Sequence, residues 1–213
     1  MKKINILIII LFSLLFINTM AQTGFQGKYY FQKQEMDAGI NFTGDGRFEF
    51  FFSYGASDRS ATGTYSVEGN TIKLKSDKTA GEDFTIDKQH KEGKGFVLFC
   101  HAMNKNILPY MQCIVFNGEQ KEYYPANNEG IIAIDIEHCD KIYMKNEIFP
   151  DIPTLIKDEK NDNNRFEVTL QPSVQQLSFK GIDFKIEDDN SLSCLPNYFM
   201  PVSDIKFHKQ MEE

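Results

Sequence analysis

The sequence lacks the signatures of several common functional classes. None of its four cysteines forms a C-x-x-C pair, which removes the main signal for zinc ribbons and thioredoxin-like proteins. It has no G-x-S-x-G nucleophile elbow and no glycine-rich turn that opens onto a helix, so serine-hydrolase and phosphate-binding motifs are absent. The formal net charge is −7, with no basic stripe between aromatic residues, and we therefore predict that nucleic acid is not a partner.

The first 21 residues have the pattern of a secretory signal peptide. Lys2 and Lys3 precede an apolar run over residues 6–17, which closes in the small-residue ending Thr19-Met20-Ala21. An uncleaved anchor is the alternative, but the run is short for a bilayer span. No cysteine lies near position 21, so a lipid-modified N-terminus is not expected. We predict export to the periplasm or the exterior, with no stable membrane span after cleavage.

The segment 22–90 contains short runs in which apolar and polar residues alternate, a pattern typical of an antiparallel β-meander. An Asp45-Gly46 turn leads into a strand in which Phe48, Phe50 and Phe52 share one face. A loop is predicted over residues 55–61. This half resembles the lipocalin-like or META-like β-meanders of exported bacterial proteins, through Asp45, Gly46, Phe48, Gly63, Thr64, Tyr65, Gly69, Asn70, Ile72 and Leu74. The pattern supplies about six strands, fewer than the eight of a lipocalin barrel, so an open meander is expected.

In the segment 91–190, apolar and polar residues alternate along short runs, as in the strands of a β-sandwich. The turn Asn127-Asn128-Glu129-Gly130 opens a strand in which Ile132, Ile134 and Ile136 share one face, and Gly130 supplies a positive φ. This half resembles the carboxypeptidase regulatory-like domain, a transthyretin-like β-sandwich, at Asn128, Glu129, Gly130, Ile132, Ile134, Asp140, Ile142, Phe166, Val168, Leu170 and Pro172. Residues 191–213 contain Pro196 and Pro201 and are predicted to be a tail that packs on the sandwich.

The four cysteines permit three disulfide pairings, and isolated buried thiols are an equal alternative. If the strands on either side of residues 103–109 pair as a hairpin, Cys100 and Cys113 become diagonal neighbours on adjacent strands. They are therefore the candidate disulfide.

The densest ligand-like cluster is the segment Asp135-Ile136-Glu137-His138-Cys139-Asp140. Strand alternation sends its side chains to two faces, so no metal site and no cofactor are predicted. Cys100-His101 and His138-Cys139 also point to opposite faces, and no catalytic residue is assigned to them.

Exposed tyrosines are the remaining functional lead, because tyrosine combines a large contact area with a polar tip. The candidate recognition residues are Tyr29, Tyr30, Tyr123, Tyr124 and Tyr198. The alternative is that they fill cores in a chain that has no tryptophan.

The sequence thus predicts an all-β protein with an N-terminal lipocalin-like meander and a C-terminal transthyretin-like sandwich. The expected function is that of an exported, non-catalytic accessory protein which binds a protein or glycan of the cell envelope. One alternative is a lipocalin-like carrier of a small apolar ligand. Another is a hydrolase whose site lies between the domains, and it requires His101 or His138 to meet two carboxylates in one cleft.

Overall fold

The computed structural model describes residues 25–55 and 57–210, and the protein is all-β, as predicted. The predicted signal peptide, residues 1–21, lies outside the described residues. Within the described ranges, no helix is long and apolar enough to cross a membrane.

An antiparallel meander forms the first part of the fold, as the sequence predicts. Its strands are β1 (Gly27–Lys33), β2 (Met36–Phe42), β3 (Arg47–Tyr54), β4 (Ser57–Glu68) and β5 (Thr71–Ser76). Phe48, Phe50 and Phe52 of β3 are buried, whereas Phe51 lies on the outer side and is 45% exposed. Successive side chains of a strand point to opposite faces, so three of these phenylalanines enter the barrel and Phe51 stays outside.

Two four-stranded sheets follow and pack face to face as a β-sandwich. Their strands are β6 (Phe84–His90), β7 (Phe96–His101), β8 (Met111–Asn117), β9 (Gln120–Pro125), β10 (Ile131–Ile134), β11 (Lys141–Asn146), β12 (Thr154–Lys157) and β13 (Arg165–Leu170). Sheet I has the order β10-β7-β13-β6, and sheet II has the order β12-β11-β8-β9. Short 3₁₀ helices lie at Lys105–Tyr110 and Pro172–Gln175.

The last three strands return to the meander and close it into an eight-stranded barrel. They are β14 (Asp183–Asp188), β15 (Ser191–Cys194) and β16 (Ile205–Lys209), and the barrel order is β1-β16-β15-β14-β5-β4-β3-β2. The sandwich is thus an insertion between β5 and β14.

This topology corrects three expectations from the sequence. The predicted tail is not an appendage of the sandwich, since its described part, residues 191–210, contains β15 and β16, which are barrel strands that pair with each other. The boundary near residue 90 is also wrong, because β6 pairs with β13 in sheet I and β14 pairs with β5 in the barrel. The open meander is wrong because distant strands supply the missing edge partners, which local periodicity does not reveal.

Side chains fill the barrel interior. Phe179 lies in the connection that leads to β14, and its ring is in edge contact with Phe48 and Phe50, at centroid distances of 5.6 and 4.9 Å. Phe184 and Phe207 stack edge to face at 5.2 Å, and both are at most 1% exposed. Aromatic rings from both ends of the chain therefore meet in one core.

The predicted loop over residues 55–61 is largely strand, because β4 begins at Ser57 and pairs with β3 through Asp58 and Arg59. Every second residue of this segment is buried although the segment is mostly polar: Ser57, Arg59 and Ala61 point inward. Arg59 is buried because it meets the sandwich at this point.

A buried ion network joins the barrel to the sandwich. Asp151, in the connection between β11 and β12, accepts from Lys78 Nζ at 2.9 Å and lies 3.4 Å from Arg59 Nη2. Lys78 Nζ is also 2.7 Å from Asp83 Oδ1. All four side chains are at most 7% exposed. The two cations and the two carboxylates thus neutralise one another's charge at a buried site, where an isolated charge would be unfavourable.

Backbone and hydroxyl groups add hydrogen bonds to this network. Arg59 also donates to the carbonyl oxygens of Pro150, Val174 and Gln176. Ser178 donates to Asp151 through its backbone N–H at 3.1 Å and its hydroxyl at 2.5 Å. Burial lowers the pKa of the Arg59 guanidinium and raises the pKa of the Asp83 carboxyl, although the nearby opposite charges act against both shifts.

The predicted turn before the isoleucine strand is confirmed. Asn127 Oδ1 accepts from the N–H groups of Glu129 and Ile131, and Gly130 has a φ of +80°. An added Cβ at Gly130 would lie 2.8 Å from the carbonyl oxygen of Cys100. The position thus requires glycine both for its backbone angle and for the close approach of β7.

Replacing Gly130 with alanine is expected to destabilise the protein by more than the roughly 1–2 kcal/mol of a left-handed backbone alone, because Cβ would also meet the Cys100 carbonyl. Gly181→Ala is the matched control, since Gly181 has a φ of +74° and open space where Cβ would lie. The free energies of unfolding, measured in urea, should rank Gly130→Ala clearly below Gly181→Ala. Equal losses would contradict the close approach.

Replacing Asp151 with asparagine is expected to cost about 3–5 kcal/mol of folding free energy, because Arg59 and Lys78 would stay buried with only Asp83 as counterion. Urea denaturation at neutral pH measures the effect. Asp183→Asn is the control, because its pair with Lys73 is solvent-exposed and should matter much less. A loss for Asp151→Asn no larger than for the control would contradict the role of the network.

Candidate functional site

The outer face of sheet II carries the clearest surface constellation in the described structure. Tyr123, Ile114, Tyr143 and Leu155 are directly paired across β9, β8, β11 and β12 and form one row. Since neighbouring strands lie roughly 4.8 Å apart, this row extends about 14 Å across the sheet. A parallel row contains Lys121, Phe116 and Lys141, and Lys145 lies on the other side of Tyr143 along β11.

These eight residues are called the lysine–tyrosine face below. Tyr123 is 49% exposed and Leu155 is 45% exposed, whereas the ring of Tyr143 is half-buried against Phe116, with a centroid distance of 5.7 Å. Ile114 is buried at the centre of the row. The result is a flat, partly apolar platform rather than a pocket.

Two lysines of this face lie against the Tyr123 ring. Lys121 Nζ is 5.0 Å and Lys145 Nζ is 5.5 Å from the ring centroid, distances at which an ammonium is attracted to the π-system. Neither lysine has a carboxylate within 4.0 Å among the described residues, and Lys141 has only Glu159, at 3.9 Å. The face therefore presents three positive charges in a chain whose net charge is −7.

The five candidate tyrosines do not form one recognition surface. Tyr29 is 1% exposed and packs inside the barrel, so its assignment as a recognition residue is wrong: alternation along β1 turns it inward. Tyr30, on the outer side of the same strand, is 41% exposed beside Phe51. Only Tyr123 lies on the lysine–tyrosine face.

The other two candidates are partly covered. Tyr124 follows Tyr123 in β9 and turns toward the sandwich core, and its hydroxyl donates to Glu122. Tyr198 lies near the junction with its hydroxyl 3.1 Å from Ser178 Oγ, and burial raises its pKa, aided by the nearby Asp151 charge. Both tyrosines have structural contacts that account for their positions.

The hairpin that would bring Cys100 and Cys113 together is not formed. Cys100 lies in β7 of sheet I and Cys113 in β8 of sheet II, and both point into the sandwich core. All four cysteines are free thiols in the structure. Burial raises the pKa of the Cys100 thiol to about 12 and also raises that of Cys113, so neither thiol is activated as a nucleophile.

The acidic segment 135–140 forms the connection between β10 and β11 at the end of the sandwich. His138 Nε2 is 3.0 Å from Asp140 Oδ1, and the other Asp140 oxygen accepts from the Gly118 N–H at 2.6 Å. That backbone hydrogen bond, followed by the bond to His138, lowers the pKa of Asp140. Within residues 25–55 and 57–210, no group of three or more His, Cys, Asp or Glu residues is arranged to hold a metal.

The junction between barrel and sandwich contains carboxylates but does not include the histidines that a hydrolase there would require. Its network consists of Arg59, Lys78, Asp83, Asp151, Ser178 and Tyr198. His101 is exposed at the end of β7, and His138 belongs to the connection between β10 and β11.

Sequence reasoning identified Tyr123 but missed its neighbours on the face. A signal was present in the alternations Lys121-x-Tyr123 and Lys141-x-Tyr143-x-Lys145, which place lysine and tyrosine together on one side of a strand. Their adjacency was hidden because β11 pairs with β8 rather than with β9.

The lysine–tyrosine face is therefore identified from residue geometry alone. Comparison of the chain with protein-family models, with curated proteins and with solved structures finds no match.

Proposed function

We propose that the protein is an exported, non-catalytic accessory protein that binds an acidic glycan of the cell envelope through the lysine–tyrosine face. The observation that carries the proposal is the placement of the Lys121 and Lys145 ammonium groups 5.0 and 5.5 Å from the ring of the half-exposed Tyr123, without carboxylate partners of their own among the described residues.

The chemistry of the face suits a glycan that carries carboxylate or sulfate groups. Aromatic rings offer flat apolar surface to the C–H faces of sugars, while lysines donate charge-assisted hydrogen bonds to acidic substituents. Tyr123, Tyr143 and Leu155 provide the apolar surface, and Lys121 and Lys145 lie beside it. An acidic partner is favoured over a neutral one because three lysines share this face.

A protein partner is less well supported by the same surface. Stable protein interfaces have well-packed apolar anchors at their centre, whereas Ile114 at the centre of this row is buried and offers little contact area. The exposed apolar surface is concentrated in Tyr123 and Leu155, at opposite ends of the row. An acidic protein that binds this face is an outcome that the experiment below can detect.

The finer family relationships are part of this proposal. The eight-stranded barrel supports a lipocalin-like first unit, and the two packed four-stranded sheets support a transthyretin-like second unit of the carboxypeptidase regulatory-like type. The Asn127–Gly130 turn that opens β10 supports the second relationship. The carrier alternative is disfavoured because phenylalanine rings occupy the barrel interior behind Phe48, Phe50 and Phe52.

Tyr123→Ala is expected to weaken binding to polygalacturonate or dextran sulfate about ten-fold, because it removes the ring and releases both lysines. Lys145→Glu should weaken binding further by adding a like charge, and binding by the unmodified protein should fall as salt is raised. Isothermal titration calorimetry measures these affinities, with neutral dextran as the reference polymer.

The matched controls are Tyr54→Ala and Lys75→Glu, which change two exposed barrel residues. Tyr54 is 50% exposed, close to the exposure of Tyr123. Both controls should bind the acidic polymers as well as the unmodified protein does. Equal binding by Tyr123→Ala and Tyr54→Ala, or equal affinity for neutral dextran, would overturn the proposal. Binding of a polyglutamate peptide but of neither polysaccharide would reassign the face to an acidic protein.

A further inference from the structure

A concave site lies at the end of the sandwich that is opposite the barrel. The connections 91–95, 135–140 and 158–164 meet there and line an open cavity of about 280 Å³. The connections that contact the barrel, including the one that contains Asp151, lie at the other ends of the sandwich strands. Loops clustered at one end of a sandwich are a common place for a binding site, because the sheets hold them while their sequences vary.

A buried ammonium forms part of the cavity wall. Lys157, the last residue of β12, is 6% exposed, and its Nζ donates to the carbonyl oxygens of Cys139 and Asp158, each at 3.0 Å. The same Nζ lies 5.9 Å from the centroid of the Phe96 ring, which also lines the cavity. An ammonium has three N–H donors, so these two carbonyls leave one donor for a ligand.

Lys157 differs from the other buried lysine, Lys78, in its counterions. Lys78 has two carboxylates, Asp83 and Asp151, at 2.7 and 2.9 Å. No carboxylate among the described residues lies within 4.0 Å of Lys157 Nζ. The charge of Lys157 acts on Asp140, whose pKa it helps to lower, although the two groups do not form an ion pair. A bound anion would further offset the cost of burying the ammonium in the folded protein.

The remaining wall of the cavity is held in place by hydrogen bonds. Asn164 is buried, and its amide donates to the carbonyl oxygens of Glu92, Gly93 and Gly95 while it accepts from the Glu92 N–H. Arg165 also donates to the carbonyl oxygens of Lys94 and Gly95, so two side chains hold the connection 91–95 next to Lys157. A site whose wall is already ordered loses little entropy when a ligand binds.

Charges of both signs surround the cavity opening. The cationic or ionisable residues there are Lys91, Lys94 and His138, and the carboxylates are Glu137, Glu159 and Asp162. All six are solvent-exposed, so water screens their effect on a ligand inside. The Lys157 ammonium lies deeper in the wall, where it is hydrogen-bonded to two carbonyl oxygens, so water screens its charge less than it screens these six.

We propose that this cavity binds a small oxyanion, or the oxyanionic group of a larger ligand, with the Lys157 ammonium as the principal donor. Phosphate, sulfate and carboxylate share the required chemistry, since each accepts a charge-assisted hydrogen bond from an ammonium. The site is separate from the lysine–tyrosine face and does not depend on the function proposed for that face.

Titration with inorganic phosphate, sulfate or acetate at constant ionic strength, followed by amide NMR, tests the proposal on the full chain. The Gly93 and Gly95 amide signals should shift saturably with at least one of these anions and should not shift with chloride. Lys157→Met, which keeps an unbranched side chain but removes the ammonium, should weaken that binding about ten-fold or more, as expected for loss of a charged hydrogen-bond donor. Lys160→Met, an exposed lysine of the neighbouring connection, is the matched control and should bind normally.

Lys157→Met could also fail to fold, because the carbonyls of Cys139 and Asp158 would lose their donor. His138→Trp provides the second variant: it places a large ring at the exposed opening, leaves Lys157 intact, and should abolish anion binding while the melting temperature stays close to that of the unmodified protein. The proposal is overturned if no anion shifts the Gly93 and Gly95 signals saturably, or if every folded variant binds as tightly as the Lys160→Met control.

Discussion

The buried charge of Asp151 is the constraint on which the connection between the two halves of this protein depends. It lies in the sandwich, yet the groups that neutralise it, Arg59 and Lys78, come from the barrel strand β4 and from the connection that leaves β5. A charge that is shielded from water needs its counterions close by. Separating the barrel from the sandwich would therefore leave at least three ionic groups without their counterions. The network thus favours one relative placement of the two units, in addition to any contribution to stability.

The insertion of the sandwich into the barrel explains why these charges meet. The chain leaves the barrel after β5, builds both sandwich sheets, and returns at β14 to pair with β5. Barrel closure therefore requires that the whole insertion place the start of β14 beside the end of β5. The two connections between the units run past the network, where Lys78 and Ser178 both contact Asp151. The residues that connect the two units along the chain are therefore also residues that contact the buried charge of Asp151.

The two surface features proposed to bind ligands make use of the sandwich in different ways. The lysine–tyrosine face uses the regular outer side of sheet II, where strand pairing places Tyr123 and Tyr143 in one row and leaves lysines beside them. The cavity at the far end uses irregular connections and one buried ammonium, Lys157. A flat charged platform suits an extended acidic polymer, whereas a recessed ammonium suits a single anionic group.

The sequence by itself determined the local features: the all-β class, the alternation of Phe48, Phe50 and Phe52, and the glycine turn that ends at Gly130. These follow from periodicity and backbone sterics, which act over a few residues. Only the tertiary structure decided which strands share a sheet. It brought β14, β15 and β16 to the barrel, placed Cys100 and Cys113 in different sheets, and placed Lys145 beside Tyr123. Pairings between strands far apart in the chain depend on the combined burial of many side chains, and no local pattern in the sequence carries that information.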